Sequence, residues 1–316
     1  MTEPQESYPS IPLDDRPRKS KRWKHLLLFL GTFVTTTIVG GAHYASYISE
    51  FGRAPLDVNW GLLVGGLPYS LGVLGILGAH EMGHYIACRY YRLDASLPYF
   101  LPFLLPFDGF QTGTLGAVIR IRSVFATRAV LFDVGVAGPI AGFVVLVPVL
   151  FAGLAMSQIL PLPTTGGGVY LGEPLLFKWA TWLVLGPVEE GFGLNAHPMV
   201  FASWFGMLAT ALNLLPFGQL DGGHITYATL GRMSTPISIL TVGTAVAMTF
   251  ISTSWIFLTV MMVVMLAVLG PRHPRVIYES EPLGPGRLLL AVVALAILAI
   301  CFTPVPIEPY DLIAKR

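Results

Sequence analysis

The chain has 316 residues, 54% hydrophobic and 12% charged, a formal net charge of +1 and a mean hydropathy of +0.68. So apolar a composition excludes a soluble globular domain, and a near-neutral charge with basic residues set beside apolar segments carries no nucleic-acid signature. Cys88 and Cys301 lie in separate apolar segments and imply no disulfide framework.

Residues 1–24 are polar and proline-rich and end in a basic cluster, Arg16, Arg18, Lys19, Lys21, Arg22 and Lys24. They read as a short disordered tail and not as a removable signal peptide. The first predicted span, Leu26 to Ile48, lies in a segment covering 25–59 and has about the ~20 residues that hydrocarbon requires. The cluster before it places the N-terminus in the cytoplasm or an equivalent compartment.

A second predicted span runs from Trp60 to about Tyr91 and carries Gly78-Ala79-His80-Glu81-Met82-Gly83-His84-Tyr85. On a helix, His80 and His84 stand one turn apart on one face and can share a zinc ion, while Glu81 lies beside that face as a base. Two imidazoles and a carboxylate in an otherwise apolar span are costly unless paired, metal-bound or facing water. Packing histidines with backbone partners would have to account for three such groups within five positions. Arg89 and Arg92 mark the cytoplasmic end of the span, which submerges the site by about 8–15 Å.

From Leu93 to Thr127 the pattern breaks. Prolines at 98, 102 and 106 forbid a regular helix, and Thr112 to Arg122, with its glycines and β-branched residues, predicts a short β-hairpin or re-entrant loop. That segment is either a connector on the membrane surface or a strand edge able to pair with an unwound substrate. The third predicted span, Arg128 to about Met156, holds Asp133, expected to pair with Arg128, and the small-residue series Gly135, Gly138, Gly142, which permits close helix contact. Leu175 to Pro187, broken by Lys178, is too short to span, and Glu189 and Glu190 follow on the far side.

The fourth predicted span opens at His197-Pro198 and leads to Asn213-Leu214-Leu215-Pro216-Phe217-Gly218-Gln219-Leu220-Asp221-Gly222-Gly223-His224. Pro216 and Gly218 break the helix and bring Asp221 near the depth of His84. Catalytic zinc takes three protein ligands and keeps an open position. Cys88 is about 12 Å from His80 along a straight helix and reads as a packed small hydrophobe. Asp221 is the best third ligand, ahead of His224, which could instead hydrogen-bond it.

With these two motifs, His80-Glu81-Met82-Gly83-His84 and Asn213-Leu214-Leu215-Pro216 leading to Leu220-Asp221-Gly222-Gly223, the chain resembles the site-2 protease family of intramembrane zinc metalloproteases. The resemblance covers residues 60–232, and its His197-Pro198 feature is similar to a subgroup with plant-chloroplast and bacterial members. It implies that His80, His84 and Asp221 bind Zn2+, that Glu81 is the catalytic base, and that Asn213 positions substrate or stabilises the oxyanion.

The segment 237–269 is long enough for two spans with a turn at Ser252-Thr253-Ser254, or for one tilted helix. A basic loop with Arg272, His273, Arg275 and Arg287 precedes a last span, Leu288 to Phe302. The expected fold is an all-α polytopic membrane protein of six to seven transmembrane helices with a short β-hairpin or re-entrant segment. Its units are the tail 1–24, a first helix and loop 25–59, a catalytic membrane core 60–232 and C-terminal helices 233–316. The expected activity is zinc-dependent hydrolysis of a peptide bond in or near the transmembrane segment of a single-span membrane protein, in a bacterial cytoplasmic or organellar bilayer. A metal transporter and a non-catalytic scaffold are the competing classes. The first would need a polar path through both leaflets, and the intact ligand and base set argues against the second.

Overall fold

The apolar run after Asn59 is helical because only Pro68 interrupts it, and the Asn59 side chain closes its start by accepting the Gly61 amide hydrogen at 2.8 Å. This computed structural model describes residues 22–51, 54–56, 59–104, 111–162, 169–270, 273–279 and 282–309. Of the tail expected over residues 1–24, positions up to 21 therefore lie outside the described residues.

In chain order the elements are α1 (Arg22–Ile48), α2 (Trp60–Tyr90), β1 (Tyr99–Pro102), β2 (Thr114–Val118), α3 (Arg128–Ala155), β3 (Gln158–Pro161), β4 (Val169–Leu171) and α4 (Leu175–Leu185). There follow β5 (Phe192–Asn195), α5 (Pro198–Leu214), α6 (Asp221–Leu230), a 3-10 turn Gly231–Met233, α7 (Ser234–Met248), α8 (Ser254–Leu269), α9 (Pro285–Cys301) and β6 (Ile307–Pro309). Among the described residues, α1, α2 and α3, with 27, 31 and 28 residues, are long and apolar enough to cross a membrane, while α4, α5, α8 and α9 are shorter apolar helices. The segment expected over 237–269 is two helices, α7 and α8, separated by the turn that holds Ser252 and Thr253.

Helix α3 is the central post. Its Leu131, Phe132, Leu146, Leu150 and Leu154 are fully buried against Trp204 and Met207 of α5 and Ile297 of α9. Helix α1 lies along α2, joined by a buried Thr36–Ser70 hydroxyl pair at 2.7 Å, an interhelical bond of the kind that holds helices together where no water competes. Large apolar side chains such as Leu27, Val64, Leu71, Val144 and Phe257 face outward. That surface suits lipid and not water.

The hairpin differs from the sequence expectation in one arm. β1 pairs antiparallel with β2, Tyr99 opposite Val118 and Pro102 opposite Thr114, with a register shift between Phe100 and Pro102. Its first strand therefore comes from the proline- and phenylalanine-rich run, and only its second from Thr112 to Arg122. Pro98 precedes the strand and Pro102 ends it, positions where a missing N–H costs the ladder little. The hairpin is fixed to the helices, with Thr35 Oγ1 donating to the Gly113 carbonyl at 2.6 Å and Tyr69 donating to that of Thr112 at 2.9 Å.

Asp133 does not pair with Arg128. Five residues along a helix turn the side chains about 140° apart. Arg128 instead donates Nε and Nη2 to the Ala228 and Thr229 carbonyls at 2.8 and 2.9 Å, closing the end of α6. Asp133 receives both Nε and Nη2 of Arg287 at 2.8 Å, and the Tyr91 hydroxyl. This cluster ties the ends of α2 and α9 to the first turns of α3.

Candidate metal centre

Two helix geometries make the site. In α2, the i, i+4 spacing sets His80 and His84 on one face, and both rings and Glu81 are buried, with 6%, 7% and 7% exposure. In the second, α5 stops at Leu214 because Leu215 takes an extended conformation ahead of Pro216. The chain turns and starts again as α6 at Asp221. A Cβ at Gly222 would run into the carbonyls of Leu214 and Leu215, so glycine alone lets the first turn of α6 tuck beneath the end of α5 and aim Asp221 inward.

The result is a compact triad. His80 Nε2 lies 3.1 Å from Asp221 Oδ2, His84 Nε2 lies 3.3 Å from Asp221 Oδ1, and the two Nε2 atoms are 3.2 Å apart. Among the described residues these three form the group able to hold a metal ion. Ligands at zinc bond lengths of about 2.0–2.1 Å in a tetrahedron stand about 3.3 Å from one another, close to all three separations. The tautomers point the same way. His84 Nδ1 sits 2.7 Å from the Val134 carbonyl, which can only accept, so Nδ1 carries a hydrogen and Nε2 is the atom that the neutral ring offers as a ligand. Two imidazole nitrogens and a carboxylate converging this closely suit a shared metal ion.

Around the triad, Asn213 Nδ2 stands 3.5 Å from His80 Nε2, and Glu81 faces the backbone of Ile119, the residue after β2 has ended. Helix α3 closes the far side at van der Waals contact. A Cβ at Gly138 would overlap the His84 ring, one at Gly142 would press on His80 at 3.1 Å, and one at Gly135 on His224 at 2.9 Å. The small-residue series, which the sequence marks as a helix contact, is therefore the wall against which His80, His84 and His224 pack.

His224 does not turn to Asp221. Its Nδ1 lies 2.6 Å from His273 Nε2, and His273 Nδ1 lies 2.6 Å from the Pro274 carbonyl. A carbonyl only accepts, so His273 Nδ1 carries its hydrogen, and His224 donates to the His273 Nε2 lone pair. Burial holds the His273 imidazole below its usual pKa, which keeps it in this neutral form. Cys88 is fully buried and packs as a small hydrophobe, and Glu189 and Glu190 lie between α4 and β5, remote in sequence order from both arms of the triad.

The family model described as peptidase family M50 matches residues 68–257, which include both arms of this triad. The chain belongs to peptidase family M50. Similar proteins include the probable zinc metalloprotease EGY2, chloroplastic, of Oryza sativa subsp. indica, 36% identical over 192 residues, and that of Arabidopsis thaliana, 31% identical over 210. A third, the probable zinc metalloprotease EGY1, chloroplastic, of Arabidopsis thaliana, is 33% identical over 175 residues. These matches take in 58%, 63% and 52% of this chain but 33%, 36% and 30% of the relatives. The chain thus spans about a third of the length of the relatives it matches.

Several contributors to this candidate site carry no signal in the sequence. The Val134 carbonyl and the Ile119 backbone carry no side-chain signal. In the sequence the basic loop with His273 and Arg287 is only a topology marker, because nothing local ties it to Asp133 or His224. The glycine spacing on α3 was the one signal that could have located the rings' packing face.

Proposed function

We propose that this M50 chain is an intramembrane zinc metalloprotease that hydrolyses a peptide bond within or near the transmembrane segment of a single-span membrane protein. The observation that carries the reading is the convergence of His80, His84 and Asp221 on one point with Glu81 beside them, buried among apolar helices. Residues 60–232 form the catalytic membrane core in this reading. The chain crosses the bilayer seven times, with α5 and α6 counted as one broken span, and its N-terminus is cytoplasmic. The division of 234–269 into α7 and α8 and the basic residues before α1 support that count and orientation.

His80, His84 and Asp221 would hold zinc, which when bound would supply Lewis acidity to the attacking water and to the peptide carbonyl. Glu81 accepts the proton of the attacking water and returns it to the leaving amine. The Asn213 amide donates toward the developing oxyanion. His84, held by the Val134 carbonyl, keeps its ring fixed while charge moves. A substrate helix has its carbonyls bonded internally, so it must unwind before attack. β2 offers an edge for the unwound segment: Leu115 and Val118 are exposed on it, and the strand leads directly to Ile119 beside Glu81.

The test uses purified full chain reconstituted in liposomes with a single-span substrate. Wild type is expected to cleave it, and Glu81→Gln to keep its zinc and lose cleavage. Full activity in Glu81→Gln would remove the assigned base.

A further inference from the structure

Away from the metal site, two hollows of opposite character meet at Leu230. The first is a polar cavity of about 1000 Å³ at the end of α6, walled by Arg128, Arg232, Arg275, Tyr227 and Glu279. Among the described residues three arginines and one glutamate line it, an excess of two positive charges. The lone carboxylate is already engaged, since Glu279 accepts the Tyr227 hydroxyl at 2.9 Å and lies 3.8 Å from Arg275 Nε. Arg232 and Arg275 are exposed. The second hollow is an apolar groove of about 440 Å³ between α6, α7 and α9, with Ile225, Ile237, Leu288, Val292 and Leu295 among its walls. Its two threonines present methyl groups, because Thr226 Oγ1 donates to the Gly222 carbonyl at 2.6 Å and Thr229 Oγ1 to that of Ile225 at 2.8 Å.

We infer that the two hollows together bind one anionic phospholipid, its phosphate among Arg128, Arg232 and Arg275 and an acyl chain along the groove. Three features fit that occupant. The charge excess suits a headgroup with a net negative charge and gives a zwitterionic one no comparable attraction. Along α9 the groove runs from Leu288 to Leu298, about 15 Å at ~1.5 Å per residue, which is half of the ~30 Å hydrocarbon core and so the depth of one leaflet. The order is also right: the basic cavity adjoins the first turn of α3, where the span begins, and the groove leads from it toward the bundle's middle. Arg128 already caps the Ala228 and Thr229 carbonyls and Arg275 stands beside Glu279, so what an occupant must match is the net positive charge; a soluble anion would leave the groove unused, and a neutral lipid would leave that charge unmatched.

The site bears on α6, the helix that starts at Asp221, since Gly222 and Ile225 line the groove and Arg128 closes the helix's last carbonyls. It is separate from the metal ligands and is read out by binding, whether or not the chain cleaves anything.

Native mass spectrometry of the purified full chain in neutral detergent tests it, with phosphatidylglycerol, phosphatidylcholine, glycerophosphate and inorganic phosphate as probes. One phosphatidylglycerol per chain is expected to bind at least ten-fold more tightly than phosphatidylcholine. Arg232→Gln/Arg275→Gln, at exposed positions that leave the fold intact, is expected to weaken phosphatidylglycerol about 25-fold, from about five-fold per arginine, and to leave phosphatidylcholine unchanged. Leu295→Trp, which fills the groove, is expected to weaken both lipids. Equal affinity for the two lipids, or an unchanged phosphatidylglycerol affinity in the arginine variant, overturns the inference. So does displacement of the lipid by glycerophosphate or inorganic phosphate at equal concentration, which would make the cavity a free-anion site.

Discussion

Replacing Gly138 by alanine separates the metal site from the fold more cleanly than removing a ligand does. A Cβ at 138 overlaps three atoms of the His84 ring, all well inside the about 3.5 Å of ordinary carbon contact, so the ring must move by about 1 Å or more. It cannot do so freely, because its Nδ1 is anchored at 2.7 Å to Val134 on the same helix as the new methyl group. Overpacking of this kind costs about 1–3 kcal/mol, against a gain of about 0.5–1 kcal/mol from alanine in a helix interior. The net loss of stability is therefore about 0–2.5 kcal/mol, tolerable for a folded chain. Displacing one ligand by about 1 Å costs on the order of 100-fold in catalysis and a similar factor in metal affinity. Purified Gly138→Ala is expected to fold, to lose most of its zinc by elemental analysis, and to cleave a single-span substrate about 100-fold more slowly. Gly243→Ala on α7, where a Cβ meets nothing within 4 Å, is the control and keeps both. A Gly138→Ala protein with one zinc per chain and undiminished cleavage would refute the packing argument.

Other consequences follow from the same geometry. Asp221→Ala removes one of three ligands and is expected to abolish zinc retention through a chelating column, measured by elemental analysis, while far-UV circular dichroism stays unchanged. Glu81→Gln is expected to lower cleavage about 100- to 10,000-fold at constant zinc content. Arg287→Gln breaks the doubly bonded pair with Asp133, whose side chains are 35% and 22% exposed. Discounted for that exposure, the expected loss is about 1–3 kcal/mol in a denaturation series. The double variant Asp133→Asn/Arg287→Gln is expected to cost less than the sum of the two singles.

Much of this site was legible because its chemistry is written in local spacing. His80 and His84 share a face by helix periodicity alone, and Pro216 and Gly218 announce the break that brings Asp221 inward. Long-range partners were less accessible. Asp133 had a cation five residues away and took one 154 positions away, Arg287, because helix geometry turned the near one aside. His224 had an attractive neighbour in Asp221 and turned to His273, in a loop whose sequence reads only as basic. The hairpin was half legible: glycine and β-branched residues marked β2, but the prolines that forbid helix in the preceding run also concealed that Tyr99–Pro102 could serve as its edge partner. Transmembrane length was plain for α1, α2 and α3 and less so for α7 and α8, where one apolar stretch held two helices.

The most direct measurement is zinc K-edge absorption on the purified full chain. The account predicts one zinc per chain with two histidine nitrogens at about 2.0–2.1 Å and carboxylate and water oxygen at about 2.0–2.2 Å. A sulfur ligand at about 2.3 Å, or a spectrum unchanged by Asp221→Ala, would contradict it.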